Sequence, residues 1–226
     1  MDFDPAERAA VYRAIATRRD VRAEFVDEPL PDDVLQRILG AANQAPSVGL
    51  SQPWRFIVTR SSETREAVLA AFSAANADAL ASYEGERAST YARLRLEGIR
   101  KAPVGICVTC DDTTARGSGL GRRTMPETAR YSTVCAIQNL WLAARAEGVG
   151  VGWVSIIDPG ALRAIFAIPA EIAVVAYLCV GYVGAFAREP DLLRDGWEKR
   201  LRLEDVVDFE RYGAANAECS RSFTNM

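Results

Sequence analysis

The chain contains no histidine. Histidine is the only side chain whose ordinary pKa lies close to neutral pH, and it is the commonest metal ligand in proteins. Its absence excludes the Ser-His and Cys-His pairs that activate nucleophiles in many enzymes. Any proton transfer in this protein must therefore rest on carboxylates, hydroxyls, water or a cofactor.

Long apolar runs are also missing. No stretch reaches the roughly 18 to 20 apolar residues that a membrane-spanning helix needs, and the first residues lack the basic start and apolar core of a secretory signal. The net charge is −3 and the pI is about 5.3, which argues against a general surface for nucleic acid or anionic lipid. We expect a cytoplasmic protein with no nucleic-acid partner and no membrane partner.

Cysteine is present but in a pattern that does not indicate a disulfide framework or a metal site. The chain has five cysteines, an odd number, and a domain of this size needs no disulfides. Cys107 and Cys110 form a CxxC motif inside a predicted buried strand over residues 104–110. Since residues three apart on a strand point to opposite faces, we expect core packing and no metal.

Arginine, by contrast, is concentrated near the N-terminus. Arg18, Arg19 and Arg22 surround Asp20, directly after a predicted helix over residues 5–17. Guanidinium groups present paired donors to phosphate oxygens, so such a cluster can hold a phosphate dianion. A solvated helix end with local ion pairs is the alternative, and composition alone favours it.

The remaining pattern predicts helices and strands without strict alternation, which favours an α+β fold over a doubly wound sheet. We expect a single domain over residues 1–226, in which about 187–226 form an apolar tail that wraps a partner subunit. Residues 111–130, rich in glycine, are expected to form a mobile loop. Helices are predicted at 5–17, 32–45, 63–81, 84–101, 132–147 and 159–167, and strands at 55–59, 104–110, 150–156 and 174–183.

Two further segments have compositions that indicate more than an ordinary loop or strand. Residues 45–54 combine two prolines, one glycine, two serines and one glutamine, which indicates either an ordinary helix-to-strand connection or a binding loop. Gly150 and Gly152 lie within a predicted strand, where glycine permits the close approach of another backbone or of a flat ligand.

Together these segments resemble the nitroreductase family of flavoproteins. The likeness rests on the arginine cluster, the loop ending in Gln52-Pro53-Trp54, the long helix followed by Gly150-Val151-Gly152, and an arginine-containing C-terminal segment. It implies a central, mostly antiparallel sheet flanked by helices. It further implies a homodimer that binds FMN at the subunit interface, with a C-terminal arm extending onto the partner.

Several segments resemble one branch of this family more specifically, the branch that destroys FMN. They are residues 18–22, 45–49, 96–99, 106–111, 131–136, 138–148 and 150–156. The resemblance implies an oxidoreductase that consumes dioxygen and fragments reduced FMN, as a substrate, to 5,6-dimethylbenzimidazole and erythrose 4-phosphate, for the lower ligand of cobalamin. A separate flavin reductase would supply FMNH2, so that NAD(P)H would be used indirectly.

The same resemblance assigns roles to individual residues. Asp20 and Ser155 match the catalytic positions, and without histidine Asp20 is the natural base or proton relay. Arg202 and Ser51 depart from the family pattern, which commonly has proline and a larger apolar residue there. The residues expected to contact FMN are Arg18, Arg19, Asp20, Val21, Arg22, Ser47, Gln52, Leu96, Gly98, Ser155 and Arg200.

Two other functions remain open on sequence grounds. An NAD(P)H-dependent nitroreductase or quinone reductase on the same fold would use one pocket in turn for both substrates, and the lack of a separate dinucleotide motif does not exclude it. A non-catalytic flavin carrier would need neither Asp20 nor Ser155.

Overall fold

The computed structural model describes residues 2–94 and 98–213. The chain divides into two compact units, residues 1–190 and residues 191–226. The first unit holds a four-stranded sheet with helices packed on both of its faces, so the predicted α+β class is confirmed. Within the described residues, no helix is both long enough and apolar enough to cross a membrane.

The elements of the first unit are joined by connections of varied length, the longest being residues 18–31 and 111–127. The strands are β1 (Trp54–Thr59), β2 (Val104–Cys110), β3 (Val149–Val154) and β4 (Ala173–Tyr182). The helices are α1 (Pro5–Thr17), α2 (Asp32–Asn43), α3 (Ser62–Ala81), α4 (Gly85–Arg93), α5 (Gly98–Lys101), α6 (Thr128–Ala146) and α7 (Pro159–Ile165). Short 3-10 helices lie at Val48–Leu50 and Arg116–Gly119.

The sheet has the strand order β1-β2-β4-β3, and every neighbouring pair of strands is antiparallel. Every residue of β2 is buried, because helices cover both faces of this central strand. One core, on the face of α2 and α6, contains Ile38, Ile106 and Leu140. The other core, on the face of α3 and α7, contains Phe72 and Leu162.

The CxxC motif lies across these two cores. The Cys107 side chain belongs to the second core, whereas the Cys110 thiol donates a hydrogen bond to the Asp112 carboxylate at 3.3 Å. Burial raises the pKa of the Cys107 thiol to about 12 and that of Cys110 to about 11. Both cysteines are therefore core residues without thiolate character at neutral pH.

The predicted helix over residues 84–101 is wrong as a single element. Helix α4 ends at Arg93, and Leu94 has an extended backbone with ψ of 127°. A separate short helix, α5, begins at Gly98.

The long helix α6 begins at Thr128, four residues before the predicted start. Its buried stripe includes Ile137, Leu140 and Trp141, whereas Val134 lies on the exposed face. The loop before α6 is tied down because the Arg122 guanidinium donates to the carbonyl oxygens of Asp112 and other loop residues.

The second unit contains a short helix, α8 (Asp191–Arg194), and a 3-10 helix at Leu203–Asp205. Arg202 donates to the Asp205 carboxylate at 2.8 Å and pairs with Glu204 at 3.2 Å. Leu201 and Val206 are largely exposed. The predicted function of this unit, as an arm on a partner subunit, stays a prediction.

Candidate functional site

Five residues predicted for the site line one cavity of about 70 Å³ in the first unit. Its wall also includes Cys179 on β4, Gly152 and Trp153 on β3, and Phe72 on α3. The five predicted residues come from three separate parts of the chain, and they are Asp20, Val21, Arg22, Gly98 and Ser155.

The carboxylate of Asp20 is held by two donors. The backbone N–H of Trp153 donates to Oδ1 at 2.9 Å, and Nε of Arg22 donates to Oδ2 at 2.9 Å. The Asp20 side chain is 31% exposed, so it still faces open space. Donors on both oxygens fix the orientation of this carboxylate toward the cavity wall.

The backbone beside Asp20 is added to the edge of the sheet. Asp20 forms a parallel bridge with Val151 on β3, and the Val21 N–H donates to the Val151 carbonyl at 3.0 Å. A Cβ at Gly152 would clash with the Val21 carbonyl oxygen, so only glycine permits this approach. The glycines of β3 therefore permit the close approach of another backbone, which was one of the two possibilities that the sequence indicated, the other being a flat ligand.

Gly98, also in the cavity wall, likewise permits a close approach of two backbones. A Cβ there would lie 3.1 Å from the Arg22 carbonyl oxygen and 3.2 Å from the Phe25 ring. The start of α5 thus packs closely against the chain that carries Asp20 and Arg22.

Ser155 and Cys179 complete the polar lining. Ser155 directly follows the end of β3 and is exposed. Cys179 is buried, and burial first, then the charge of Asp20, raises the pKa of its thiol well above its usual range. Sequence reasoning missed Cys179, because a cysteine within an apolar strand gives no signal beyond core packing.

Arg18 and Arg19 differ sharply in their surroundings. The Arg18 guanidinium lies over the Trp141 ring at 5.3 Å, and its buried Nε has no hydrogen-bond partner among the described residues. The Arg19 guanidinium instead donates to the carbonyl oxygens of Ala16, Ala187 and other residues. Arg18, rather than Arg19, therefore keeps a donor that the described residues leave unpaired, although neither arginine lines the Asp20 cavity.

Ser47 and Gln52 do not line this cavity. Ser47 Oγ accepts a hydrogen bond from the Gln52 backbone N–H at 3.1 Å, and the Gln52 amide contacts Asn43 and Arg116. The intervening Ser51 is fully buried, and its hydroxyl has no partner within the described part of the chain.

This loop is strained and held against α6. Gly49, Leu50 and Gln52 all have positive φ angles, which cost energy for the two residues that are not glycine. The Val48 N–H donates to Ser132 Oγ on α6 at 3.0 Å. Such strain is common at binding loops that the surrounding structure holds in place.

Two more predicted residues cannot be placed in this cavity. Leu96 lies outside the described residues. Arg200 is exposed and belongs to the second unit. In residues 2–94 and 98–213, no group of three or more cysteine or carboxylate side chains is arranged to hold a metal.

Comparison with known proteins identifies the fold. A family model described as the nitroreductase family matches residues 15–182. The 5,6-dimethylbenzimidazole synthase of Rhodospirillum rubrum is 48% identical over 198 residues, which cover 88% of this chain and 93% of that protein. The 5,6-dimethylbenzimidazole synthase of Rhodobacter capsulatus is 42% identical over 204 residues, 90% of this chain and 98% of that protein.

A solved structure supports the same fold. An oxidized iodotyrosine deiodinase, bound to FMN and 3-iodo-L-tyrosine, matches with a TM-score of 0.71. It is 21% identical in sequence, and the match covers 89% of this chain and all of that one. The resemblance drawn from the sequence is thereby confirmed, and the chain belongs to the nitroreductase family.

Proposed function

We propose that this chain is a 5,6-dimethylbenzimidazole synthase. It would fragment reduced FMN with dioxygen to 5,6-dimethylbenzimidazole, for the lower ligand of cobalamin, and erythrose 4-phosphate. FMN is then a substrate, and a separate flavin reductase supplies it as FMNH2, so that NAD(P)H is used indirectly. The observation that carries the proposal is that the Asp20 carboxylate shares one cavity with Arg22, Gly98 and Ser155.

The arginine cluster fits the phosphate of FMN. Arg18 has a buried Nε without a hydrogen-bond partner in the described residues, and a phosphate oxygen would satisfy that donor. Reduced FMN would supply the carbon atoms of the product and the electrons that dioxygen takes up. Arg22, whose Nε already binds Asp20, keeps its remaining guanidinium donors for the ligand.

Asp20 is the proposed base. The ribityl carbon that joins the ring must lose protons to become part of the benzimidazole, and Asp20 is the only carboxylate that the described residues place in the cavity wall. Each carboxylate oxygen has two lone pairs, so Asp20 can accept from Trp153 and Arg22 and still take up a proton. The Ser155 hydroxyl, on the same wall, would donate to a flavin nitrogen or pass the proton on.

The complete site requires a second copy of the chain. Pockets for ligands of this size usually measure about 300–1,000 Å³, whereas the Asp20 cavity measures about 70 Å³. Ser47 and Gln52 lie outside it, and their loop would close the site of the partner in a homodimer. Leu96, near the start of α5, and Arg200, on the C-terminal arm, would cover the flavin and its phosphate.

A single incubation tests the proposal. Purified protein is mixed with FMNH2 in air, and the products are separated by chromatography. The expected result is 5,6-dimethylbenzimidazole with loss of FMN. Catalytic NADH oxidation in which the bound flavin survives would instead identify an NAD(P)H-dependent reductase and contradict the proposal. Unchanged FMN without either reaction would indicate a flavin carrier.

A further inference from the structure

A second cavity, of about 580 Å³, lies in the first unit and is strongly basic. Arg60, Arg65, Arg100 and Lys101 line it, and Asp27 is the only carboxylate among the described residues of its wall. We call it the basic cavity. Even with Arg60 paired to Asp32, the lining of this cavity is basic in a chain whose net charge is −3.

The protein satisfies two of these cations, Arg65 and Lys101, only in part. Arg60 pairs with Asp32 at 2.6 Å and donates to the Leu30 carbonyl at 3.0 Å. Arg65 donates to the Ala102 carbonyl at 2.9 Å, but its buried Nε has no partner among the described residues. Lys101 forms no ion pair within that same part of the chain. Clefts lined by charge of one sign concentrate counter-ions, so the basic cavity is suited to an anion.

The shape of the basic cavity indicates more than a simple ion. Its floor is apolar and buried, formed by Phe25, Leu30 and Val104, whereas Arg100 and Lys101 are exposed at its rim. Its volume falls within the range of pockets for small organic ligands, about 300–1,000 Å³. A molecule with an anionic end and a flat or apolar body would use both the rim and the floor.

We infer that the basic cavity binds a phosphate monoester of about mononucleotide size. Its phosphate lies among Arg65, Arg100 and Lys101, because guanidinium groups match phosphate oxygens in geometry and charge. Its ring lies on the apolar floor. This site is distinct from the Asp20 cavity, although α5 contributes to both, through Gly98 to one and through Arg100 and Lys101 to the other.

Calorimetric titration of the whole, flavin-free protein with AMP tests this inference. AMP is expected to bind saturably and more tightly than inorganic phosphate. Its affinity is expected to fall as salt concentration rises. Adenosine, which lacks the phosphate, is expected to bind far more weakly. Lys101→Glu should weaken AMP binding on the order of tenfold, and Arg100→Gln should weaken it in the same direction.

The matched control is Lys199→Glu, the same change at the chain's other lysine, which should leave AMP affinity unchanged. Adenosine or inorganic phosphate binding as tightly as AMP would overturn the inference. The inference would also be overturned if AMP binding were unaffected by Lys101→Glu but lost in Arg18→Ala. AMP would then occupy the proposed flavin phosphate site. The result does not depend on benzimidazole formation, so this inference and the proposed function can fail separately.

Discussion

Replacing Asp20 should separate FMN binding from benzimidazole formation. In Asp20→Asn, the amide oxygen can still accept from the Trp153 N–H, so the chain beside β3 should keep its position. We expect FMN binding to persist, while benzimidazole formation falls by roughly 10²-fold or more, the usual contribution of a positioned base. Product yield after a fixed time in air is the measurement.

The control for this change is Asp78→Asn, at an exposed position on α3. It removes the same charge outside the cavity and should leave the yield unchanged. Wild-type yield from Asp20→Asn would show that Asp20 is not the base.

Replacing Arg18 should mainly weaken FMN binding, whereas replacing the adjacent Arg19 should mainly lower the stability of the protein. Arg18→Ala removes the guanidinium with the unpartnered Nε and should weaken FMN binding by about 1.5–3 kcal/mol, the size of a charge-assisted hydrogen bond. Its free energy of unfolding should fall by only about 0.5–1 kcal/mol, because the contact with the Trp141 ring is lost. Fluorescence titration with FMN and urea denaturation provide the two measurements.

Arg19→Ala is the comparison, because Arg19 donates to backbone carbonyls at the end of α1 and at residues 187–188. Those carbonyls lose their donor, so the free energy of unfolding should fall by roughly 1–3 kcal/mol. Equal FMN affinities for wild type and Arg18→Ala would refute a phosphate contact by Arg18.

At the scale of elements, the junction between β3 and the chain at Asp20 depends on one glycine. In Gly152→Ala, the new Cβ would meet the Val21 carbonyl oxygen, and backbone cannot move aside as a flexible side chain can. We expect the free energy of unfolding to fall by roughly 1–3 kcal/mol, together with weaker FMN binding, because Asp20 and Arg22 shift.

Gly40→Ala is the matched control. A Cβ at this α2 position meets nothing within 4 Å, so alanine should stabilise the helix by roughly 0.5–1 kcal/mol. Urea denaturation of both variants tests the contrast, and a Gly152→Ala protein as stable as wild type would mean that the junction tolerates a side chain.

Elements were predictable from the sequence where one local pattern decides them. The continuous apolar run of β2 and the helical spacing of α6 identified both. The break at Leu94 was missed, because it depends on how the chain packs rather than on local composition. For Gly152, the sequence predicted a close approach but could not name Val21, which lies more than a hundred residues away.

The candidate site was predictable only in part. Asp20, Gly98 and Ser155 were identified through the family resemblance, and no spacing rule joins three such distant segments. The sequence alone does not distinguish Arg18 from Arg19. The position at which α1 ends decides which of the two side chains meets backbone carbonyls. The distance between the Asp20 cavity and the loop at Ser47 could be learned only from the folded chain.

At the scale of the whole molecule, an exposed apolar surface supports the proposed homodimer. Leu50, Leu120, Tyr131 and Val134 are all exposed, and we call them the apolar face. They are neighbours, since Leu120 lies near Gly49 and the loop at Val48 is bonded to α6 at Ser132. Exposed apolar patches of this kind mark protein interfaces, and this one adjoins the loop that carries Ser47.

A charge on the apolar face should therefore disrupt the dimer and the flavin site together. Val134→Asp places a carboxylate at a position that is 42% exposed in one chain. In a symmetric dimer the change occurs twice, so we expect association to weaken by roughly 2 kcal/mol or more. Size-exclusion chromatography should show monomers, and FMN affinity should fall because Ser47 of the partner subunit is lost from the site.

Leu80→Asp makes the comparable change on α3, at a residue that is 37% exposed and outside the apolar face. It should remain dimeric and bind FMN as the wild type does. A Val134→Asp protein that stays dimeric would assign the interface to another surface. A monomeric Val134→Asp protein with undiminished FMN affinity would mean that one chain holds the flavin alone, and the loop at Ser47 would then have no part in binding it.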